Sequence, residues 1–304
     1  MHVNAALLLT VVLAWGLSWY AIAVQVGTIP VEASIAYRFI LSGALLLAWC
    51  AVRKGTVAVS RRLHLLLIGM GMCLFSLNFV LIYASTAFIV SGLTSVVFAT
   101  AALMGVLNVW LFDGTRPSRQ VVAGASLGGG GLGALYFGTV DGGAVAGTVD
   151  GTQIGAASTG LLLALGGTYC FSLGNIVSTR VRGRVDFVTG TAWAMLCGGA
   201  LAIIACLLRH GTVPPPPATT AYLGSLAYLV VGASVIGFLA YLDLVRRAGA
   251  AQAAYATVLF PLVALVVSSA LEGYLWTPEA VLGVAAILGG AALVFVGGPK
   301  ARQR

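Results

Sequence analysis

The sequence predicts an all-α integral membrane protein of ten transmembrane helices, arranged as two inverted five-helix repeats. Three observations carry this. Hydrophobic residues fill 60% of the 304 positions and charged residues only 8%, where a soluble chain carries about 25% charged residues. The apolar residues fall in continuous runs of the ~20-residue length that a helix needs to cross a bilayer core. The second half of the chain also repeats the residue order of the first. Alternating patterns of the β-barrel kind are absent, so the runs are read as helices, which pair every backbone group within the segment.

In chain order the spans read as 5–24, 33–52, 63–84, 91–112, 119–138, 157–178, 187–208, 220–242, 251–271 and 277–297. The first is read as an uncleaved helix. Ala21-Ile22-Ala23 resembles a signal cleavage site, but no Lys or Arg precedes the run and the run is too long. The longest connection, 139–156, is Gly-rich and reads as a flexible outer loop. Pro214 to Pro217 form a short rigid spacer before the eighth span. The ninth carries Pro261, which is expected to kink it and act as a hinge. No stretch remains for a soluble domain, so a nucleotide-hydrolysing module and an ATPase subunit docked on a long cytoplasmic loop are both unexpected.

Fourteen of the sixteen Lys and Arg residues sit in alternate connections or at the C-terminus, and Arg209 is the one basic residue in the other set of connections. The positive-inside rule then places both termini in the cytoplasm. The net charge of +8 is accounted for by topology, and nucleic acid is not an expected partner. The five cysteines lie in apolar spans without a CxxC pair, and no His/Cys ligand set appears. They behave as small hydrophobes, so neither metal nor cofactor is expected.

The repeat divides the chain at about residue 150, giving 1–150 and 151–304 as halves of one membrane domain. Residues 7–24 laid on 161–178 pair Trp15 with Tyr169 and Ser18 with Ser172 without a gap. Further on, Ser76 and Tyr83 match Ser234 and Tyr241, and Gly114, Gly124, Gly131 and Gly138 match Gly273, Gly283, Gly290 and Gly297. Each half has five spans, so the second runs opposite to the first. Inverted repeats of this kind characterise secondary transporters, with the substrate near the midplane between the halves.

The stretches AWGLSWYAI, AYRFILSG and the long segment from Tyr241 to Leu293 resemble the EamA-type ten-helix carriers of the drug/metabolite transporter superfamily, over nearly the whole chain. Within that superfamily the chain is most similar to the YddG-type amino-acid exporters. The resemblance implies export of amino acids or related small metabolites across the inner (cytoplasmic) membrane, by a protein that is not an enzyme. Two departures stand out: Phe260, where members often have Glu, precedes Pro261, and the matching Leu103-Met104 region has no Pro. A helix break in one half only is therefore expected.

Trp15 lies ~15 Å into its span, at ~1.5 Å per residue, too deep for an interfacial belt. It is read as lining a cavity, or alternatively as packing with its N–H bonded to a neighbour. Trp15, Ser18 and Trp19 share a helical face, and Tyr169 with Ser172 stand at the matching place, with Asn175 one turn on. Trp19, nearer the outer surface, is also open to an interfacial reading. Arg38 is the one basic residue well inside a span. Intramembrane ionisable groups are functional candidates, so it either holds a substrate carboxylate, ties helices together, or snorkels outward. Asn78, Tyr83, Trp193, Tyr228 and Tyr241 complete the candidate lining. Asp243 is expected to form a local ion pair with Arg246 or Arg247. The run GGGGLG (128–133) lacks the Lys-Ser/Thr of a phosphate loop and is read as close helix packing. No Asp or Glu falls at mid-depth, so uniport or weakly coupled export by alternating access is favoured, by a monomer. The alternatives left open are a proton-coupled exporter of drugs or other metabolites, and a membrane enzyme acting on a lipid-linked substrate.

Overall fold

Each predicted span is helical over most of its length, because an apolar run in a bilayer must satisfy its own backbone. The computed structural model describes residues 2–54, 58–114, 116–141, 153–248 and 250–297. The first half comprises α1 (His2–Gln25), α2 (Val31–Lys54), α3 (Arg61–Gly71), α4 (Leu77–Ser85), α5 (Ser91–Phe98), α6 (Ala101–Asp113) and α7 (Arg119–Asp141). The second comprises α8 (Gln153–Val181), α9 (Phe187–His210), α10 (Thr220–Ala227), α11 (Gly237–Ala248), α12 (Ala250–Leu271) and α13 (Pro278–Gly297). Among the described residues eight helical stretches are long and apolar enough to cross a bilayer, and two shorter apolar helices, Ala256–Leu271 and Pro278–Val294, follow them. Among the described residues there is no β-strand. Most of the Gly-rich connection, 142–152, and the basic C-terminus from 298 lie outside the described residues.

Two spans contain a feature the apolar pattern does not announce. A π-helical turn, Met72–Ser76, joins α3 to α4, and another, Tyr228–Ile236, joins α10 to α11. Such turns widen the helix locally and cluster at functional sites. The expected helix break is also displaced. α12 continues through Pro261, whereas the span without a proline is interrupted at Ala99 and Thr100, between α5 and α6. The Ala99 N–H is shared there between the Ser95 and Val96 carbonyls, and Thr100 bonds back three residues to Val97.

Close glycine contacts set the helix pairs. α7 crosses α13 with backbones almost touching: a Cβ on Gly290 would stand 2.5 Å from the Gly124 carbonyl, and one on Gly131 2.8 Å from that of Gly283. Gly129, Gly130 and Gly133 face open space, so the packing stripe repeats at seven residues (124, 131, 138) rather than four. α2 crosses α9 in the same manner through Gly43 and Gly199. α1 lies on α11, α12 and the second π turn, while α8 lies on α3, α4 and α6. Gly16 admits α12 to α1, since a Cβ there would stand 2.6 Å from the Val263 Cβ.

Carboxylates fasten the bundle at the end poor in basic residues. Glu32 is 2% exposed and is bound by Arg209, with His210 Nε2 at 3.5 Å. This pairing accounts for the position of Arg209 away from the other basic residues. Glu272 accepts hydrogen bonds from the Ser91 backbone N–H (3.2 Å), the Ser91 hydroxyl (2.6 Å) and the Ser268 hydroxyl, tying α12 to the start of α5. A carboxylate at a helix N-terminus also meets the positive end of the helix dipole. Glu272→Ala is expected to destabilise the protein by about 2 kcal/mol through the donors left unpaired, measured as a lower thermal midpoint in detergent. At the basic end, Asp243 accepts from Arg247 at 2.8 Å, one helical turn away.

Candidate functional site

Arg38 stands about two turns into α2 and is 5% exposed, so it does not snorkel. Its guanidinium carbon lies 4.7 Å from the centroid of Phe79 and 4.9 Å from that of Phe39. Its Nε donates to the Ser234 hydroxyl at 3.3 Å. The Tyr83 hydroxyl lies beside the guanidinium. Nη1 is buried and has no hydrogen-bond partner. The eight acids of the chain are Glu32, Asp113, Asp141, Asp150, Asp186, Asp243, Glu272 and Glu279. Among those described, Glu32 already serves Arg209, Asp243 pairs with Arg247, and Glu272 accepts from Ser91 and Ser268. The buried cation is thus supported by two aromatic faces and the hydroxyls of Ser234 and Tyr83. Aromatic faces contribute only about 1–2 kcal/mol to such a cation, against a burial penalty of several kcal/mol. The guanidinium thus keeps one buried donor, Nη1, without a hydrogen-bond partner.

The second π turn positions this group. Ser234 belongs to it and receives Arg38, and the neighbouring Ala233 carbonyl receives the Trp15 indole N–H at 3.2 Å. Trp15 is half-buried against Tyr241 (5.2 Å between ring centroids), Phe238 (5.6 Å) and Phe260 (6.4 Å). The Tyr228 hydroxyl donates back to the Ala14 carbonyl at 3.0 Å. Trp15, Tyr228 and Tyr241 therefore join α1 to the π turn and α11, the packing alternative of the sequence reading. Trp15→Phe keeps the ring stack but loses the bond to the Ala233 carbonyl, and is expected to destabilise by about 1 kcal/mol. Trp15→Ala also removes the ring and should cost about 3–5 kcal/mol. Thermal unfolding of the two variants beside the unaltered protein checks both.

The remaining candidates divide into groups. Trp19 is 6% exposed and stacked on Phe260 at 5.9 Å and 17°, with Phe98 at its edge. It is a core residue, which corrects its reading as an interfacial anchor: its indole is enclosed by rings instead of reaching headgroups. Ser18 is buried and donates to the Trp15 carbonyl of its own helix at 2.7 Å. Tyr83 is fully buried, and its hydroxyl donates to Gln25 Oε1 at 3.0 Å. Asn78 is buried and donates to the Leu74 carbonyl of the first π turn, with its Oδ1 unpartnered. Ser172 is buried and accepts from Asn108 Nδ2 at 2.8 Å. Tyr169 is 37% exposed and Asn175 exposed. Tyr169, the repeat mate of Trp15, is not among the ring neighbours of Trp15. Trp193 packs edge-on to His64 at 5.2 Å. Pro261 is buried within an unbroken α12.

Sequence reasoning missed Gln25, Ser234 and Asn108. Gln25 lies one residue beyond the predicted end of the first span, where a polar side chain reads as loop; it is 1% exposed. Among the described residues no group of His, Cys, Asp and Glu side chains could hold a metal ion.

Comparison with known proteins places this architecture. The model of the EamA-like transporter family matches residues 4–137 and 158–296. The chain is similar to YedA of Escherichia coli (strain K12), named an uncharacterized inner membrane transporter, with 26% identity covering 93% of this chain and 87% of that protein. It is similar to YvbV of Bacillus subtilis (strain 168), named an uncharacterized transporter, with 26% identity covering 88% and 83%. Protein PagO of Salmonella typhimurium is 24% identical over 95% of this chain and 92% of its own. A solved crystal structure shares the fold with a TM-score of 0.61 over 95% of both chains, at 19% identity. Taken with the apolar helices, these matches make the protein a membrane transporter and not an enzyme, and the chain belongs to the EamA-like transporter family.

Proposed function

We propose that the protein is a ten-helix secondary transporter of the inner membrane, with both termini cytoplasmic, that exports amino acids or related small carboxylate-bearing metabolites. It works by alternating access between two inverted five-helix halves. The observation that carries the substrate class is Arg38, a buried cation with an unpartnered Nη1 and, among the described residues, no acidic partner. Charge-assisted bonds from guanidinium to carboxylate are about twice as strong as neutral ones, and a site that lacks its own anion binds one from outside.

Several contacts support the inverted arrangement. Gly43 meets Leu196, and Gly199 meets Ile40; each partner is the repeat mate of the other at an offset of 156. Gly124 meets Gly290 and Gly131 meets Gly283, again mates exchanged, at an offset of 159. Both π turns contain a matched serine, Ser76 and Ser234. Gly114 and Gly273, also matched, both adopt positive φ, 68° and 69°. The two segments of the family match fall one in each half. A two-fold relation between halves of opposite direction generates this exchange of partners, and it is the relation alternating access exploits.

The test is efflux of labelled amino acids from liposomes containing the purified protein, with and without a pH gradient. Downhill efflux indifferent to the gradient is the expected result. Movement of no amino acid contradicts the substrate class, and accumulation driven by the gradient contradicts uniport.

A further inference from the structure

Gln25 is one of the described residues with a buried polar atom that lacks a hydrogen-bond partner. It closes α1 at 1% exposure, and its Nε2 has no hydrogen-bond partner. A buried amide nitrogen left unpaired costs stability, and such groups in a native structure call for an explanation. Its Oε1 accepts from the Tyr83 hydroxyl at 3.0 Å. The same hydroxyl lies beside the Arg38 guanidinium, whose Nη1 is the other unpartnered donor of this cluster. Two unsatisfied donors, one of them cationic, therefore flank one fully buried tyrosine. The Tyr83 hydroxyl, hydrogen-bonded to the guanidinium, is an acceptor of the cluster, and among the described residues Gln25 Nε2 and Arg38 Nη1 have none. A water molecule would satisfy the amide but leave the charge uncompensated. A carboxylate satisfies both, because its two oxygens accept from two separate donors.

We propose that Gln25 and Arg38 clamp the substrate carboxylate between them, one oxygen on Gln25 Nε2 and the other on Arg38 Nη1, with Tyr83 as the positioning residue that aims the amide. This rests on the transporter reading above and adds the second donor and the ligand chemistry. The ligand is a monocarboxylate whose acid group is free. An amide or ester of the same compound lacks the charge that Arg38 requires and presents an NH2 or alkyl group to a donor.

Thermal unfolding of the full-length protein in detergent tests this, with the twenty L-amino acids and their C-terminal amides as probes. In the unaltered protein at least one free acid should raise the midpoint and its amide should not. Gln25→Leu should weaken that acid at least tenfold. Gln25→Glu should raise the midpoint of the ligand-free protein and abolish the shift, because the new carboxylate takes the place of the substrate's. A purely structural glutamine would not produce that pair of results. Equal shifts with acid and amide, no shift with any acid, or unchanged affinity in Gln25→Leu would each overturn the clamp. If Gln25→Leu does not fold, retained affinity in Gln25→Glu overturns it. Efflux of the same probes separates the two readings. Flux without acid–amide discrimination removes the clamp and leaves the transporter. Specific binding without flux removes the export reading and leaves the clamp.

Discussion

Gly290→Val is expected to yield little or no monodisperse protein. The new Cβ would stand 2.5 Å from the Gly124 carbonyl oxygen and 2.8 Å from the Gly128 amide nitrogen. Both are backbone atoms, so no rotamer change relieves the clash and α7 must move away from α13. That separation also parts Gly131 from Gly283, where a Cβ would stand 2.7 Å from the opposing carbonyl. Overpacking relieved by side chains costs about 1–3 kcal/mol; one that parts two helices belongs with the exceptional losses above about 4 kcal/mol. Gly130→Ala is the internal control. It lies on the same helix α7 and faces open space, so it should be neutral or stabilise by up to about 1 kcal/mol through helix propensity. Size-exclusion profiles and thermal midpoints of the two variants, side by side, read the difference. Equal behaviour would mean that the α7–α13 contact is not close.

Arg38→Gln is expected to separate stability from function. The charge it removes is buried and, among the described residues, unpaired by any acid, so its loss relieves a desolvation penalty of several kcal/mol. It forfeits the cation–π contacts to Phe79 and Phe39, worth about 1–2 kcal/mol, and one bond to Ser234. The midpoint should therefore hold or rise. Affinity for a carboxylate ligand should fall by more than a hundredfold, on the basis of about 3 kcal/mol for a charge-assisted bond with a buried partner. Arg38→Lys keeps the charge but loses the planar fork, so it should retain only part of the affinity. A ligand titration by thermal shift gives both numbers for each variant. A large drop in the midpoint of Arg38→Gln without ligand would instead mark Arg38 as a structural tie between α2 and α11's π turn.

The helices were legible because a bilayer leaves an apolar run of this length one solution. The packing glycines were legible in part. Gly124, Gly131, Gly283 and Gly290 stood out through their repeat, but the stripe is spaced by seven, and Gly129 and Gly133 of the small-residue pattern take no part. The π turns were not legible, since MCLFS and YLVVGASVI carry no proline or other punctuation. They come from how α3 to α4 and α10 to α11 pack, which is a tertiary effect. The break at Ala99 and Thr100 lacked a signal for the same reason, and Pro261 pointed to the wrong half. Within the candidate site, the residue type and place of Arg38 were enough to nominate it, while its burial depends on Phe79 and Ser234 from distant segments. Trp15 was nominated for its depth, and its partner, the Ala233 carbonyl, lies 218 residues away. Gln25 escaped because an amide at the end of a span resembles the start of a loop. Only its unpartnered nitrogen distinguishes it.

The central claim is that the buried guanidinium of Arg38 receives the carboxylate of an exported small metabolite. Efflux from proteoliposomes loaded with labelled amino acids, compared between the unaltered protein and Arg38→Gln at equal reconstituted amounts, tests it most directly. The account predicts efflux of at least one free acid by the unaltered protein and a rate no greater than that of protein-free liposomes for Arg38→Gln. Efflux of the same acid by Arg38→Gln at the unaltered rate would contradict it.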